Sequence, residues 1–223
     1  MISNFSRLLA ALLLSTTCLC GSLFADQKFD SLRKAAEQGD AKAQGLLGAA
    51  YSDGEGVAED QVEAVKWWRK AVEQGVAQAQ CGLGTAYYFG EGVTKDQSEG
   101  VKWWRKAAEQ GLAEAQVNFG FAYDEGTGVA KDQVEAAKWY RKAAEQGHAS
   151  AQFALGCAYN YGNGVAKDMV EAYAWINLAA VTDKYAKNMR TDLEKTMTAQ
   201  QIAVGQRRST ALNASIMANQ AKK

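Results

Sequence analysis

Histidine is the scarcest reactive group in this 223-residue chain, with His148 the single example. A histidine-based metal site or a histidine general base therefore has almost nothing to be built from. Net charge is missing too: 25 Lys and Arg balance 25 Asp and Glu. That argues against a nucleic-acid binder held by a basic surface and against a polybasic membrane-surface protein. Cysteine is sparse, at four residues. Apolar material is not: 48% of the residues are hydrophobic, enough to bury a core, which excludes wholesale disorder.

The first 25 residues read as a targeting segment. Arg7 is the only charge before Asp26, Leu8 to Leu14 form a short apolar run, and Ser22-Leu23-Phe24-Ala25 ends in a small residue. The pattern predicts a secretory signal cleaved after Ala25. An uncleaved anchor remains open, although Ser15, Thr16, Thr17, Gly21 and Ser22 dilute residues 8–25. A lipoprotein site at Cys18 or Cys20 is disfavoured, because Ser15-Thr16-Thr17 and Thr17-Cys18-Leu19 lack the Leu-small-small lead-in. Cleavage would remove Arg7, Cys18 and Cys20, leaving 24 basic and 25 acidic residues, a net of −1.

A 36-residue period organises the rest. Ala41-Lys42-Ala43-Gln44 recurs as Ala77-Gln78-Ala79-Gln80, Ala113-Glu114-Ala115-Gln116 and Ala149-Ser150-Ala151-Gln152. Gly48, Tyr51, Gly54, Asp60, Glu63 and Trp67 recur at the same step, down to Asp168, Glu171 and Trp175. Four copies result, over 40–75, 76–111, 112–147 and 148–183, preceded by a half copy that ends at Gly39. Residues 26–39 are expected to form an N-terminal capping helix, and 184–223 C-terminal capping helices and a tail.

Each copy reads as two helices. Ala43, Leu47, Ala50 and Tyr51 share one helical face, and Gly54-Glu55-Gly56-Val57 breaks the helix. Asp60 with Glu63 has capping-box spacing at the start of the second helix, in every copy. Val62, Val65, Ala71 and Val72, with Trp67 or Trp68, are expected to line that helix, and Tyr51 and Trp67 to fill the wedge beside Gly48. One hairpin cannot hide both its faces, so the copies must stack. Lys66-Trp67-Trp68-Arg69-Lys70 becomes Ala174-Trp175-Ile176-Asn177-Leu178 in the last copy. That loss of charge predicts a cover, from helices over 184–197 and 199–219, the second opened by a Thr198/Gln201 capping box.

The spacing Ala41-x-Ala43-Gln44-x-x-Leu47-Gly48-x-x-Tyr51-x-x-Gly54-x-Gly56-Val57-x-x-Asp60-x-x-x-Ala64-x-x-Trp67 resembles the Sel1-like repeats, relatives of the tetratricopeptide repeats. The resemblance covers about 28–182, with Phe119 replacing Leu and Gly100 replacing Ala. It implies an all-α fold, a right-handed α/α solenoid of about four hairpins with capping helices at both ends. It implies an adaptor for a protein or peptide partner; with the signal pattern of 1–25 and the scarcity of reactive groups, the expectation is a non-catalytic protein, periplasmic or secreted, that works as a monomer without cofactor or metal. A cysteine-rich branch of the family is associated with penicillin binding. This chain lacks that branch's cysteine pair in each repeat, so a β-lactam-binding or hydrolase-like role stands only as the alternative.

The columns that begin at 42, 45, 49, 52 and 53 vary between copies while their neighbours repeat, and they form one helical stripe. The stripe carries Tyr88 and Phe89 in copy two, Val117, Phe121, Asp124 and Glu125 in copy three, and Phe153, Cys157 and Tyr161 in copy four. Two readings of Tyr88, Phe89, Val117, Phe121, Phe153 and Tyr161 stay open. They anchor a partner in a concave groove, or they pack against the next repeat and the C-terminal helices.

Other reactive patterns are weak. Asp60 and Glu63 recur as caps must, not as a catalytic pair would. Ser31-x-x-Lys34 lacks its Ser-Asp-Asn and Lys-Thr-Gly partners, and Asp53-x-Glu55 lacks a calcium-loop pattern. His148 falls at a helix start, which suits a surface or capping role. Cys81 and Cys157 lie two repeats apart, about 20 Å by helix-layer spacing, too far to bridge.

Overall fold

The computed structural model describes residues 28–222, so the segment read as a signal, 1–25, lies outside the described residues. Among those residues the chain is helical with no strand. A first helix, α1 (28–37), precedes four hairpins. They are α2 (Ala41–Asp53) with α3 (Gln61–Glu73), α4 (Ala77–Phe89) with α5 (Gln97–Glu109), α6 (Ala113–Glu125) with α7 (Gln133–Ala144), and α8 (Ala149–Tyr161) with α9 (Met169–Ala179). Two more helices, α10 (Lys184–Thr196) and α11 (Ala199–Gln220), follow where a cover was expected. The architecture is an all-α array of repeated hairpins, of the α/α solenoid class. The described residues fall into two compact units. One holds those up to Ala86 together with Gly90–Thr94, the other Tyr87–Phe89 together with those from Lys95 on.

Each hairpin is closed by the same hydrogen bonds. The first helix ends on a glycine in the left-handed region, φ 69° at Gly54, and the equivalent Gly90, Gly126 and Gly162 do the same. The chain then returns so that the Asp60 N–H donates to the Tyr51 carbonyl at 2.9 Å, a bond repeated by Asp96, Asp132 and Asp168 on Tyr87, Tyr123 and Tyr159. The Asp60 carboxylate caps α3, accepting from Val62 and Glu63 N–H. The reciprocal half of the expected capping box does not form. The Asp N–H is already taken by the tyrosine carbonyl, so the glutamate is released to its helix surface. There Glu63, Glu99 and Glu135 pair with Lys66, Lys102 and Lys138. Val62, expected to line the helix, is exposed instead, because it lies in the first turn on the outward side.

The repeated glutamine, to which the sequence assigned no role, ties one hairpin to the one before it. Gln44, Gln80, Gln116 and Gln152 are all buried. The Gln44 amide donates to the Ala36 carbonyl at 3.1 Å, and Gln116 and Gln152 do the same to Ala108 and Ala144. Gln74 and Gln146 in turn donate to Gln44 and Gln116. The Ala36, Ala108 and Ala144 carbonyls, each at the end of the preceding helix, also accept from the N–H of Gly39, Gly111 and Gly147, so the glutamine amide supplies their second hydrogen bond.

Helix contact within a hairpin is set by a bulky side chain seated on a helical glycine. Trp68, not Trp67, lies over Gly48, and a Cβ at Gly82 would stand 2.6 Å from the same ring. Tyr140 sits likewise on Gly120, and Ile176 on Gly156. Trp67, Trp103 and Trp139 are only half-buried and carry the ammonium of Lys70, Lys106 and Lys142 over their rings at 3.7–3.9 Å. At the last copy that outer face is covered. Trp175 is 1% exposed and packs with Ile216 and Leu212 of α11. Ala174 is fully buried, and Asn177 bonds Ser209 and Arg190. Glu171, without a lysine three residues on, pairs with Arg208 of α11 at 2.7 Å.

Gly205 seats α11 against α9, since a Cβ there would stand 2.6 Å from Tyr173 Cδ1. Gly205→Ala gains up to about 1 kcal/mol of helix propensity but overpacks the contact at a cost of about 1–3 kcal/mol. A net loss is expected, read as a lower urea midpoint at unchanged slope. An unchanged or higher midpoint would show that the Tyr173 ring yields freely.

Candidate functional site

The six stripe residues separate by exposure. Tyr88 is 6% exposed: its ring packs on Trp104 and its hydroxyl lies 2.6 Å from Thr127 Oγ1. It is a packing residue, because α4 turns its ring inward onto Trp104. Phe89, next along, is 58% exposed and meets Tyr88 edge-on with centroids 5.0 Å apart. Phe121 is 43% and Tyr161 66% exposed.

Val117 and Phe153 are half-buried. Val117 packs at the cluster that contains Tyr140, Leu155 and Trp175. Phe153 packs at the cluster of Tyr173, Ile176 and Leu193, which brings α8 against α10. Cys157 Sγ also lies 3.6 Å from Met189 Sδ of α10. Packing against the C-terminal helices therefore accounts for Phe153. Phe89, Phe121 and Tyr161 are left as aromatic groups in solvent, all in the second unit.

The remaining candidates take structural places. The Ser31 hydroxyl donates to the Lys28 carbonyl. His148 occupies the N-cap position of α8 but makes no capping bond with its side chain. Neither Cys81 nor Cys157 is in a disulfide. Among the described residues no group of three or more His, Cys, Asp or Glu converges as metal ligands would. No described helix is long and apolar enough to cross a membrane.

Known proteins share this arrangement. The Sel1 repeat profile matches residues 32–40, 41–76, 77–112, 113–148 and 149–180. The chain belongs to the Sel1-repeat family. A solved structure from uropathogenic Escherichia coli, c5321, described as a protective antigen with an SLR fold, is 39% identical with a TM-score of 0.78. That match covers 87% of this chain and 43% of the other. A Sel1 repeat protein from Oxalobacter formigenes is 37% identical with a TM-score of 0.67, over 76% of this chain and 50% of that one. This Sel1-repeat chain thus spans half or less of both relatives. The immunity protein Pa5087 of Pseudomonas aeruginosa, 20% identical with a TM-score of 0.51, covering 86% of this chain and 74% of its own, shares the fold. A search of the curated proteins finds no match.

Cys157 lies within the stripe, and burial pushes its thiol up to about 11. Near pH 8 it then holds about a hundredfold less thiolate than an ordinary cysteine. Iodoacetamide, followed by peptide mapping of the folded protein, is expected to label Cys157 slower than glutathione by about that factor. Labelling at the glutathione rate would contradict the burial.

Proposed function

We propose that this Sel1-repeat protein is an exported, monomeric, non-catalytic scaffold. It holds a protein or peptide partner on the first-helix face of its second unit. Phe89, Phe121 and Tyr161 supply the exposed contact area. The observation that carries this reading is the coincidence of two properties in those residues. They occupy columns that differ from copy to copy, and their rings stay in solvent while the repeated aromatics are buried or half-buried. Exposed aromatic side chains give large contact area at small entropic cost.

Export rests on the charged start, apolar run and small residue of 1–25. It also fits the E. coli relative, described as a protective antigen. The β-lactam alternative gains nothing from Ser31, whose hydroxyl is tied to a backbone carbonyl.

The test is affinity capture from envelope extracts of the source organism. Wild type is compared with a Phe89→Ala, Phe121→Ala and Tyr161→Ala triple variant. These side chains are exposed, so each substitution is expected to change stability by no more than about 0.5 kcal/mol. At least one prey should be lost about tenfold or more, as truncation of an interface anchor predicts. Equal recovery of every prey would retire the face.

A further inference from the structure

A small cleft opens between α6 and α8, with α7 behind it. Its volume is about 90 Å³, and Asp124, Gln133, Tyr140, Cys157 and Asn163 are among its lining residues. That is well above the ~15 Å³ a single water needs, and suits the tip of one side chain.

One copy earlier the chain fills the same place itself. Tyr88 holds there the position that Asp124 holds in its own copy. The Tyr88 ring lies on Trp104 with centroids 4.6 Å apart and 34° between planes, and its hydroxyl meets Thr127. Trp104 and Thr127 correspond, 36 residues on, to Tyr140 and Asn163. The repeat thus shows what this place accepts: a planar group lying on the ring of the second helix, hydrogen-bonded at its edge to the next loop. Asp124 is too short to be that group. Cys157 and Ala137, where the earlier copy has Phe121 and Val101, enlarge the opening.

The groups left around it carry negative charge. Asp124 is half-buried and accepts from the Gln133 amide at 3.1 Å. Tyr140 is 6% exposed and lines the cleft from α7. Burial first, then the negative charges of Asp124 and Glu125, push its phenol well above the ordinary value. Phe121 lies three residues before Asp124, and Tyr161 four after Cys157, on the same helical faces.

We propose that this cleft receives one arginine side chain of the protein partner. The guanidinium stacks on Tyr140 as the Tyr88 ring stacks on Trp104, and donates to the Asp124 carboxylate and the Asn163 side chain. Its aliphatic stem runs along Phe121 and Tyr161. Arginine fits better than lysine because its head is planar, forked and weakly hydrated. The assignment rests on this face being the partner surface.

The test is an NMR titration of the ¹⁵N-labelled protein with acetyl-Leu-Arg-Leu-amide. The same peptide with citrulline, planar but uncharged, and with lysine serve as comparisons. The arginine peptide is expected to give saturable shifts confined to 121–125, 133–140 and 154–163, with roughly millimolar affinity. Citrulline, or Asp124→Asn with the arginine peptide, should weaken binding about tenfold or more, and lysine should fall between. Asp124→Tyr, which restores the ring of the earlier copy, should abolish binding without lowering the urea midpoint. Equal shifts with citrulline, an unaffected Asp124→Asn, or a flat titration with the arginine peptide would each overturn the arginine assignment. Extract capture that still depends on Phe121 would leave the scaffold reading standing in any of those cases.

Discussion

The seat of a bulky side chain on a helical glycine governs the rest of this structure. Where Trp68 covers Gly48, or Tyr140 covers Gly120, no Cβ intervenes and the two helices of a hairpin close on each other. That proximity lets the tyrosine carbonyl at the end of the first helix reach the aspartate N–H at the start of the second. The bond in turn uses up the donor that a capping box would need, and the glutamate is freed to pair with a lysine on the outer surface. Each step follows sterically or by hydrogen-bond bookkeeping from the one before, and the glycine is the first.

Repetition made most of this legible before any coordinates. Caps and breaks stand in the sequence because four copies agree, the closing helices because the last copy departs from them, and an interaction that must recur leaves its residue types at a fixed step. Adjacent residues of the same chemistry were not separable. Trp67 and Trp68 are both indoles on one helix, and only the position of Gly48 across the hairpin decides which is buried. Tyr88 and Phe89 differ by one position, about 100° around the helix, and that rotation puts one in the core and the other in solvent. The burial of Phe153 depends on where α10 lies, and α10 has no counterpart in the period to reveal it. The glutamine column was visible as a constant, but its role needed the carbonyl of the preceding helix in place.

The end of the array shows how a repeat is terminated without a new fold. Copies one to three keep a half-buried tryptophan under a lysine, an arrangement that tolerates water. In copy four the lysines become alanine and leucine, and α11 supplies Leu212, Ile216 and Arg208 in their place. Glu171 keeps a cationic partner, but from another helix. A surface ion pair of this kind contributes little energy. The apolar area that α11 buries over Trp175 is the larger effect.

The columns that hold the fold and the columns that face outward on the first helices are largely different residues. Glycine, aspartate, glutamine and the second-helix aromatic can stay fixed while positions 49, 52 and 53 of the period change freely. Position 52 carries Ser52, Tyr88, Asp124 and Asn160 in turn, and none of these takes part in the glycine seat, the cap or the glutamine clamp. The backbone around Tyr88 and Asp124 is therefore the same, and exchanging one for the other converts a filled contact into an acidic cleft while the bonds that close the hairpin stay in place. Divergence between copies is then the chemically informative part of this sequence. Where four copies agree the constraint is folding, and where they differ on an exposed stripe the constraint has to come from something outside the chain.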